Sequence, residues 1–230
     1  FGRTGVNSVV SVQWKQLPRL AKEYIHFPAY NVIGTLANDI AQHLSLFLIG
    51  MFFAPEELGH FNFSRQYVFV PLSLVAVSVS NVYFQRISAS ISAGNSLKNE
   101  FRRLVAVLGG AALTFSVVLF FAGEWIFTLV FGEKWQFAGD ILSILIFSYA
   151  IKFVVSPLSN VLPALKELRL ANVFPFVYLA LMASLYFFKG LNFKEFLTYF
   201  VWFEVIAYTI YLAIVALAIT KYEASISKVG

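Results

Sequence analysis

The sequence of 230 residues contains no cysteine and few charged residues, which make up 13% of the chain. Soluble globular domains carry about 25% charged residues, because charged side chains must cover the outside of an apolar core. The absence of cysteine excludes a disulfide-stapled secreted domain, and the shortage of polar residues excludes a disordered chain and a nucleic-acid-binding module. Hydrophobic residues make up 59% of the sequence. This composition predicts an integral membrane protein.

The motifs of common enzyme classes are also missing. The chain contains no Gly-x-Ser-x-Gly nucleophile motif, no His-Glu-x-x-His zinc motif and no phosphate-binding glycine-rich loop. Its predicted loops are short, whereas a membrane-embedded polymerase or acyltransferase is expected to carry large polar loops with clustered acidic residues. We therefore expect a protein that is not an enzyme and needs no cofactor. Asp39 and His43 are spaced like two metal ligands, but a third ligand is lacking, so we expect no metal site.

Six apolar stretches are long enough to cross a bilayer core, which takes roughly 20 residues of α-helix. These stretches are 29–53, 67–84, 104–122, 141–163, 170–188 and 196–219. They are too long for the strands of a membrane β-barrel and lack strict alternation of polar and apolar residues. The predicted fold is therefore all-α, with six transmembrane helices.

The remaining segments are predicted to lie at or outside the membrane surface. Residues 1–28 mix basic and apolar side chains, as a cytoplasmic linker or interfacial segment does, and residues 220–230 are predicted to form a cytoplasmic tail. The polar segment 55–60 is expected to separate the first two spans. The aromatic segment 125–131 follows Glu124 and is expected at the membrane interface, where aromatic rings are favoured.

The distribution of basic residues predicts the orientation in the membrane. Six spans place both chain ends on the same side. Twelve of the 17 Lys and Arg residues fall on that side, four fall on the other side, and Lys152 lies inside a span. Because cytoplasmic loops are enriched in Lys and Arg, both ends are predicted to be cytoplasmic.

Polar residues form a stripe along the first predicted span. Asn31, Thr35, Asn38, Gln42 and Ser45 recur at spacings of four, three, four and three residues, which places them on one helix face. Asp39 and His43 flank this stripe. Helix packing alone accounts for one or two such residues. The stripe therefore predicts a wet cavity beside this helix.

Weaker polar faces occur on three other spans. They comprise Ser78, Asn81, Gln85 and Ser88 on the second span, Ser148, Lys152, Ser156 and Ser159 or Asn160 on the fourth, and Glu204, Tyr208 and Tyr211 on the sixth. The third and fifth spans carry few polar residues and are expected to face lipid.

Charged groups inside these spans require a partner or a function. Roughly 16 Å of helix separates Lys152 from either end of its span, farther than a lysine side chain can reach. It must therefore meet water, an anionic ligand or a paired carboxylate, and Asp39 is the candidate partner. Glu204, nine residues into its span, could instead reach the interface. Arg65, just before the second span, is either an ordinary loop charge or a ligand contact.

Five segments together carry a family resemblance. They are 21–28, which leads into the first span, 66–74, 80–86, 131–139 and 153–159. They resemble the polysaccharide transporter family, the oligosaccharide or O-antigen flippases of the multidrug/oligosaccharidyl-lipid/polysaccharide exporter superfamily. Members have twelve spans in two six-helix lobes, so the resemblance implies that this chain is a C-terminal lobe. The chain begins without an initiator Met, and we expect a preceding N-terminal lobe, with a processed N-terminus as the alternative.

The resemblance further implies an activity and its location. It predicts that lipid-linked oligosaccharide, normally attached to undecaprenyl diphosphate, moves across the bacterial inner membrane during surface polysaccharide biosynthesis. The expected partners are this substrate, membrane lipid and the missing lobe, and nucleic acid is not expected. The candidate substrate-pathway residues are Asn31, Asn38, Gln42, Asn81 and Gln85 for sugar hydroxyls, and Arg65 and Lys152 for the diphosphate. The candidates for ion coupling are Asp39, His43 and Glu204.

Two other functions remain open from the sequence. A cation-coupled exporter of small amphipathic molecules would need a smaller and more aromatic cavity. A non-transporting scaffold of the polysaccharide assembly machinery would tolerate substitutions along the polar stripe, whereas a flippase would not.

Overall fold

The computed structural model describes residues 26–227, with side chains from Val32 onward in the first helix. Six helices, each long and apolar enough to span a membrane, make up this part of the chain. They are α1 (His26–Phe52), α2 (Pro55–Ser92), α3 (Lys98–Phe131), α4 (Glu133–Ala164), α5 (Leu168–Phe188) and α6 (Phe193–Ile226). The predicted all-α class with six spans is confirmed. The expected linker falls almost entirely outside the described residues, as do the last residues of the expected tail.

Two predicted segment boundaries differ from the structure. The polar segment 55–60 belongs to α2, whose first turn is favoured by Pro55 and by a hydrogen bond from the Ala54 backbone N–H to the Glu57 carboxylate (3.0 Å). The aromatic segment 125–131 is the end of α3, which continues without a break through Glu124. A polar residue near a helix end does not terminate a helix whose backbone hydrogen bonds continue.

Proline interrupts the regular geometry of α2 and α4. In α2, a π-helical turn at Arg65–Phe69 comes just before Pro71. In α4, a 3₁₀ segment at Ser156–Asn160 contains Pro157. Proline lacks a backbone N–H and its ring clashes with the preceding turn, so the helix must change its winding nearby.

Helix α4 lies at the centre of the bundle. It packs against α3, α6 and α2, while α1 packs against α5 and α5 against α6. Most side chains of α4 are buried, whereas α3 leaves most of its surface exposed. This exposed surface agrees with the prediction that the third span faces lipid. Helix α5 likewise leaves most of its residues unburied, although it buries Phe174, Tyr178 and Met182 within the bundle.

Contacts between connections define two ends of the bundle. One end of the bundle holds the last turns of α6 and is called the terminal end. There, the last turns of α6 contact the α2–α3 and α4–α5 connections. The Glu223 carboxylate accepts hydrogen bonds from the backbone N–H groups of Leu97 (2.6 Å) and Lys98 (3.2 Å). Lys221 pairs with Glu167 at 2.5 Å. We call these contacts of α6 the clasp.

At the opposite end, aromatic rings hold the other connections together. Phe53, between α1 and α2, lies 5.2 Å from Phe193 at the start of α6. Phe63 of α2 stacks on Trp135 of α4, with ring centroids 3.5 Å apart. Aromatic pairs of this kind stabilise a packing interface beyond the area that they bury.

The clasp should stabilise the start of α3. Because a side-chain acceptor on free N–H groups at a helix start contributes about 1 kcal/mol, Glu223→Ala should speed hydrogen exchange at Leu97 and Lys98 about fivefold. Glu133→Ala, at an exposed glutamate of the opposite end, serves as the control. Equal exchange rates in the two variants, measured by mass spectrometry or NMR, would contradict the clasp.

Candidate functional site

A cavity of about 580 Å³ lies in the half of the bundle nearer to the terminal end. Five of the six helices contribute to its wall. The polar lining residues are Thr35, Asn38 and Gln42 of α1, Ser73, Ser80 and Asn81 of α2, Ser156, Ser159 and Asn160 of α4, Asn172 of α5, and Tyr208 and Tyr211 of α6. None of the described residues that line the cavity is charged. Amides and hydroxyls of this kind hydrogen-bond to a neutral polar ligand.

The irregular segment of α4 presents polar groups to this cavity. Asn160 donates a hydrogen bond from Nδ2 to Ser80 Oγ of α2 at 2.9 Å. Tyr211 donates from its hydroxyl to the backbone carbonyl of Ser159 at 3.3 Å. The 3₁₀ winding at Pro157 therefore places α4 in hydrogen-bonding contact with both α2 and α6.

Aromatic rings form another part of the wall. Phe174 of α5 lies 5.2 Å from Tyr208 and 4.8 Å from Tyr211, measured between ring centroids. All three residues line the cavity. The cavity thus combines flat apolar surfaces with amide and hydroxyl groups.

Helices α1 and α5 approach each other closely at Gly34. A Cβ atom built at this position would lie 2.3 Å from Asn172 Oδ1, so a side chain here would displace the Asn172 amide. Asn172 itself lines the cavity. The glycine therefore leaves room for the Asn172 amide in the cavity wall.

The structure separates the candidate residues of the polar stripes into two groups. Asn38, Gln42 and Asn81 line the cavity. Asp39, His43 and Gln85 are exposed on the outer surface of α1 and α2. The side chain of Asn31 lies outside the described part. Arg65 is half-buried in the π-helical turn.

The intramembrane lysine pairs with Glu204, and the expectation that Asp39 is its partner is wrong. The Lys152 ammonium donates to Glu204 Oε1, and the Tyr178 hydroxyl donates to the same oxygen at 2.7 Å. Lys152 is 9% exposed and Glu204 is 1% exposed. Glu204 therefore lies inside the lobe and does not reach the interface.

Aromatic rings enclose this ion pair. The Lys152 ammonium lies 5.2 Å from the ring centre of Phe69 and 5.6 Å from that of Tyr208. Such cation–π contacts stabilise a cation that has lost water. Tyr208 also lines the cavity, so one aromatic side chain borders both the cavity and the ion pair. Glu204 Oε2 is buried without a hydrogen-bond partner among the described residues.

Several cavity residues were not predicted from the sequence as site residues. Asn172 lies just inside a span that reads as almost wholly apolar, and its only signal is that it is an amide near a predicted helix start. Ser159 and Asn160 follow the polar face of the fourth span, but helical spacing could not decide between them. The 3₁₀ winding brings both to the cavity.

Comparison with known proteins identifies the family of the chain. Residues 4–140, more than half of the sequence, match the family described as polysaccharide biosynthesis protein. The chain belongs to this family. The resemblance to a family of polysaccharide-handling membrane proteins is thus confirmed at the level of polysaccharide biosynthesis.

Two curated relatives agree with this assignment. The chain is 26% identical over 143 residues to the teichuronic acid biosynthesis protein TuaB of Bacillus subtilis (strain 168), which covers 62% of the chain and 30% of that protein. It is 24% identical over 180 residues to an uncharacterized membrane protein in the cps region of Klebsiella pneumoniae. This match covers 76% of the chain and 36% of that protein. The chain spans about a third of the length of these relatives. No solved structure matches it.

The buried pair makes a specific prediction about stability. Lys152→Met leaves the Glu204 carboxylate buried without its cation, which should cost about 3–5 kcal/mol in the free energy of unfolding. Lys152→Met combined with Glu204→Gln should recover most of this loss, because a neutral amide still accepts the hydrogen bond from Tyr178. Unfolding by denaturant in detergent micelles measures both effects.

Lys134→Met, at an exposed lysine of the opposite end, controls for the loss of one positive charge. A double variant as unstable as Lys152→Met alone would show that the lysine stabilises the lobe by packing and not by its charge.

Proposed function

We propose that this chain is one lobe of a flippase that moves lipid-linked oligosaccharide across the bacterial inner membrane. The oligosaccharide would be carried on a polyprenyl diphosphate such as undecaprenyl diphosphate, and the lobe would have no catalytic role. The observation that carries the proposal is the uncharged, hydrogen-bonding cavity inside a membrane-spanning bundle of a polysaccharide biosynthesis protein. The hydrocarbon interior of a membrane excludes sugars, so a protein that moves them needs such a polar surface.

The cavity wall suits the sugar part of this substrate. Asn38, Gln42 and Asn81 offer both donors and acceptors to hydroxyl groups. Asn31 and Gln85 continue the same two stripes along α1 and α2 and are proposed to contact the glycan as it enters. The apolar faces of Phe174 and Tyr208 can pack against sugar rings.

The diphosphate requires positive charge, which the cavity lining does not offer. Lys152 lies behind Tyr208, and its contact with Phe69 connects it to the π-helical turn that contains Arg65. The ammonium of Lys152 is paired with the buried carboxylate of Glu204. We propose that Lys152 and Arg65 attract the diphosphate, and that Lys152 exchanges Glu204 for it when the wall rearranges.

Three side chains are candidates for binding a driving ion: the carboxylates of Glu204 and Asp39 and the imidazole of His43. Glu204 has an unpartnered buried oxygen, and Asp39 and His43 lie one turn apart on the exposed side of α1. A charge that crosses the membrane potential gains about 2.3 kcal/mol per 100 mV. We propose that one of these groups binds the driving ion during alternating access.

The charged residues on the exposed side of α1 are a reason to propose a second lobe. Asp39 and His43 are exposed within a helix long enough to cross the membrane, and lipid does not solvate charged side chains. The curated relatives are about three times longer than the matched region. We propose that another six-helix lobe of the same protein faces α1 and α2 across a wet pathway, with both ends of this chain cytoplasmic.

Transport of a labelled undecaprenyl-diphosphate oligosaccharide in proteoliposomes tests the proposal. In the full-length protein, Asn81→Ala and Gln42→Ala should each slow transport about fivefold to tenfold, because each removes a hydrogen-bonding group from the cavity. The matched controls Asn62→Ala and Gln66→Ala lie exposed on α2 near the opposite end and should transport normally.

The charged groups are tested in the same assay. Lys152→Met with Glu204→Gln should abolish transport in a folded protein, whereas Lys134→Met should not. Normal transport by the cavity variants would contradict the assigned pathway. A folded parent that moves no cognate glycan contradicts the flippase. Export of an amphipathic cation would then indicate a drug exporter, and its absence a scaffold.

A further inference from the structure

A second, smaller feature lies between α2 and α3 on the exposed surface of the bundle. It is a groove of about 350 Å³, lined by Ser78, Val79, Val82, Tyr83 and Arg86 of α2 and by Leu104 of α3. Val79, Val82 and Leu104 give it an apolar floor, and Arg86 stands at the end nearer to the α2–α3 connection. The groove and the polar cavity both border helix α2, but they share no described lining residue.

The packing of α3 explains why the groove exists. Although α2 and α3 are consecutive, α3 packs mainly against α4, and this leaves a gap beside α2. An apolar gap on the membrane-facing surface of a bundle is filled by hydrocarbon, because water gains no hydrogen bonds there.

Positively charged side chains predominate around the mouth of the groove. Arg86 is exposed and makes no ion pair with any described residue. Arg102 and Arg103, in the first turns of α3, are also exposed. Arg86 lies seven residues before Ala93 and Arg103 lies six residues after Leu97, so the antiparallel helices bring both arginines to the same level.

The acidic groups nearby are already engaged with the protein. Glu100 accepts a hydrogen bond from Ser90 at 3.1 Å, one turn closer to the connection than Arg86. Its second oxygen is buried without a partner. Glu223 is held in the clasp. Both carboxylates keep their negative charge, but Arg86, Lys98, Arg102 and Arg103 outnumber them around the α2–α3 connection, so the charge there is net positive.

An unpartnered hydroxyl adds a second, independent observation. Tyr83 is 5% exposed, borders the groove, and its buried hydroxyl has no hydrogen-bond partner in the described part of the chain. A buried donor without an acceptor is costly. A lipid ester or phosphate oxygen that reached this hydroxyl would supply the missing acceptor.

We propose that this groove binds one anionic phospholipid of the leaflet at the terminal end. Its phosphate is held by Arg86, and one acyl chain lies along Val79, Val82 and Leu104. This site is separate from the proposed transport pathway and does not depend on flippase activity.

Native mass spectrometry of the full-length protein, released from nanodiscs of mixed phosphatidylcholine and phosphatidylglycerol, tests the proposal. The parent protein should retain one phosphatidylglycerol in preference to phosphatidylcholine. Since a basic residue contributes about 1 kcal/mol to binding an anionic lipid surface, Arg86→Gln should reduce this retention about fivefold. The matched control Arg169→Gln, an exposed arginine at the same end, should not.

A second variant tests the apolar half of the site. Val82→Trp fills the groove from a position that is 54% exposed, so the fold should be retained while the bound lipid is lost. Equal retention of both lipids, equal effects of the two arginine variants, or unchanged retention in Val82→Trp would each overturn the proposal. Displacement of the lipid by inorganic phosphate would also overturn it, because that result indicates an anion site without a lipid chain.

Discussion

The fold depends on one constraint: a polar group inside a bilayer must find its partner within the protein or in enclosed water. Helix α4 shows the result most clearly. It runs through the centre of the bundle and carries Lys152, whose charge is paired with Glu204 of α6 and surrounded by aromatic rings. Tyr178 of α5 donates to the same carboxylate. A single ion pair thereby connects three helices, and an aromatic contact from Phe69 adds α2.

The two proline-induced irregularities follow the same constraint. A helix that changes its winding inside a membrane releases backbone groups, which is tolerated only where protein or an enclosed polar space can satisfy them. The 3₁₀ segment of α4 borders the cavity with Ser156, Ser159 and Asn160. The π-helical turn of α2 ends at Phe69, against Lys152. Both irregular segments thus lie beside polar groups of the bundle.

Much of this arrangement could be predicted from the sequence, because hydrophobic length and helical periodicity are local properties. They predicted six spans and placed Asn38, Gln42 and Asn81 on faces that border a common cavity. The partner of Lys152 could not be predicted, since it depends on which helices become neighbours. Asp39 was the expected partner because it flanks the polar stripe of the first span, yet α4 packs against α6 and not against the exposed side of α1. Asn172 was missed for a related reason, because one amide at the edge of an apolar span forms no pattern.

The separation of charge from the cavity wall has a consequence for the proposed transport. If Lys152 lined the cavity directly, hydration of the cavity would weaken its pairing with Glu204, since water screens charges strongly. Tyr208 stands between the two, with one side toward the cavity and its ring near the ammonium. Sugar recognition then requires no charge to be desolvated, and the charged groups respond only when this aromatic wall moves. In the proposed transport, this arrangement would let neutral glycans of different composition use one cavity, while the buried charges behind it would recognise the shared anionic carrier.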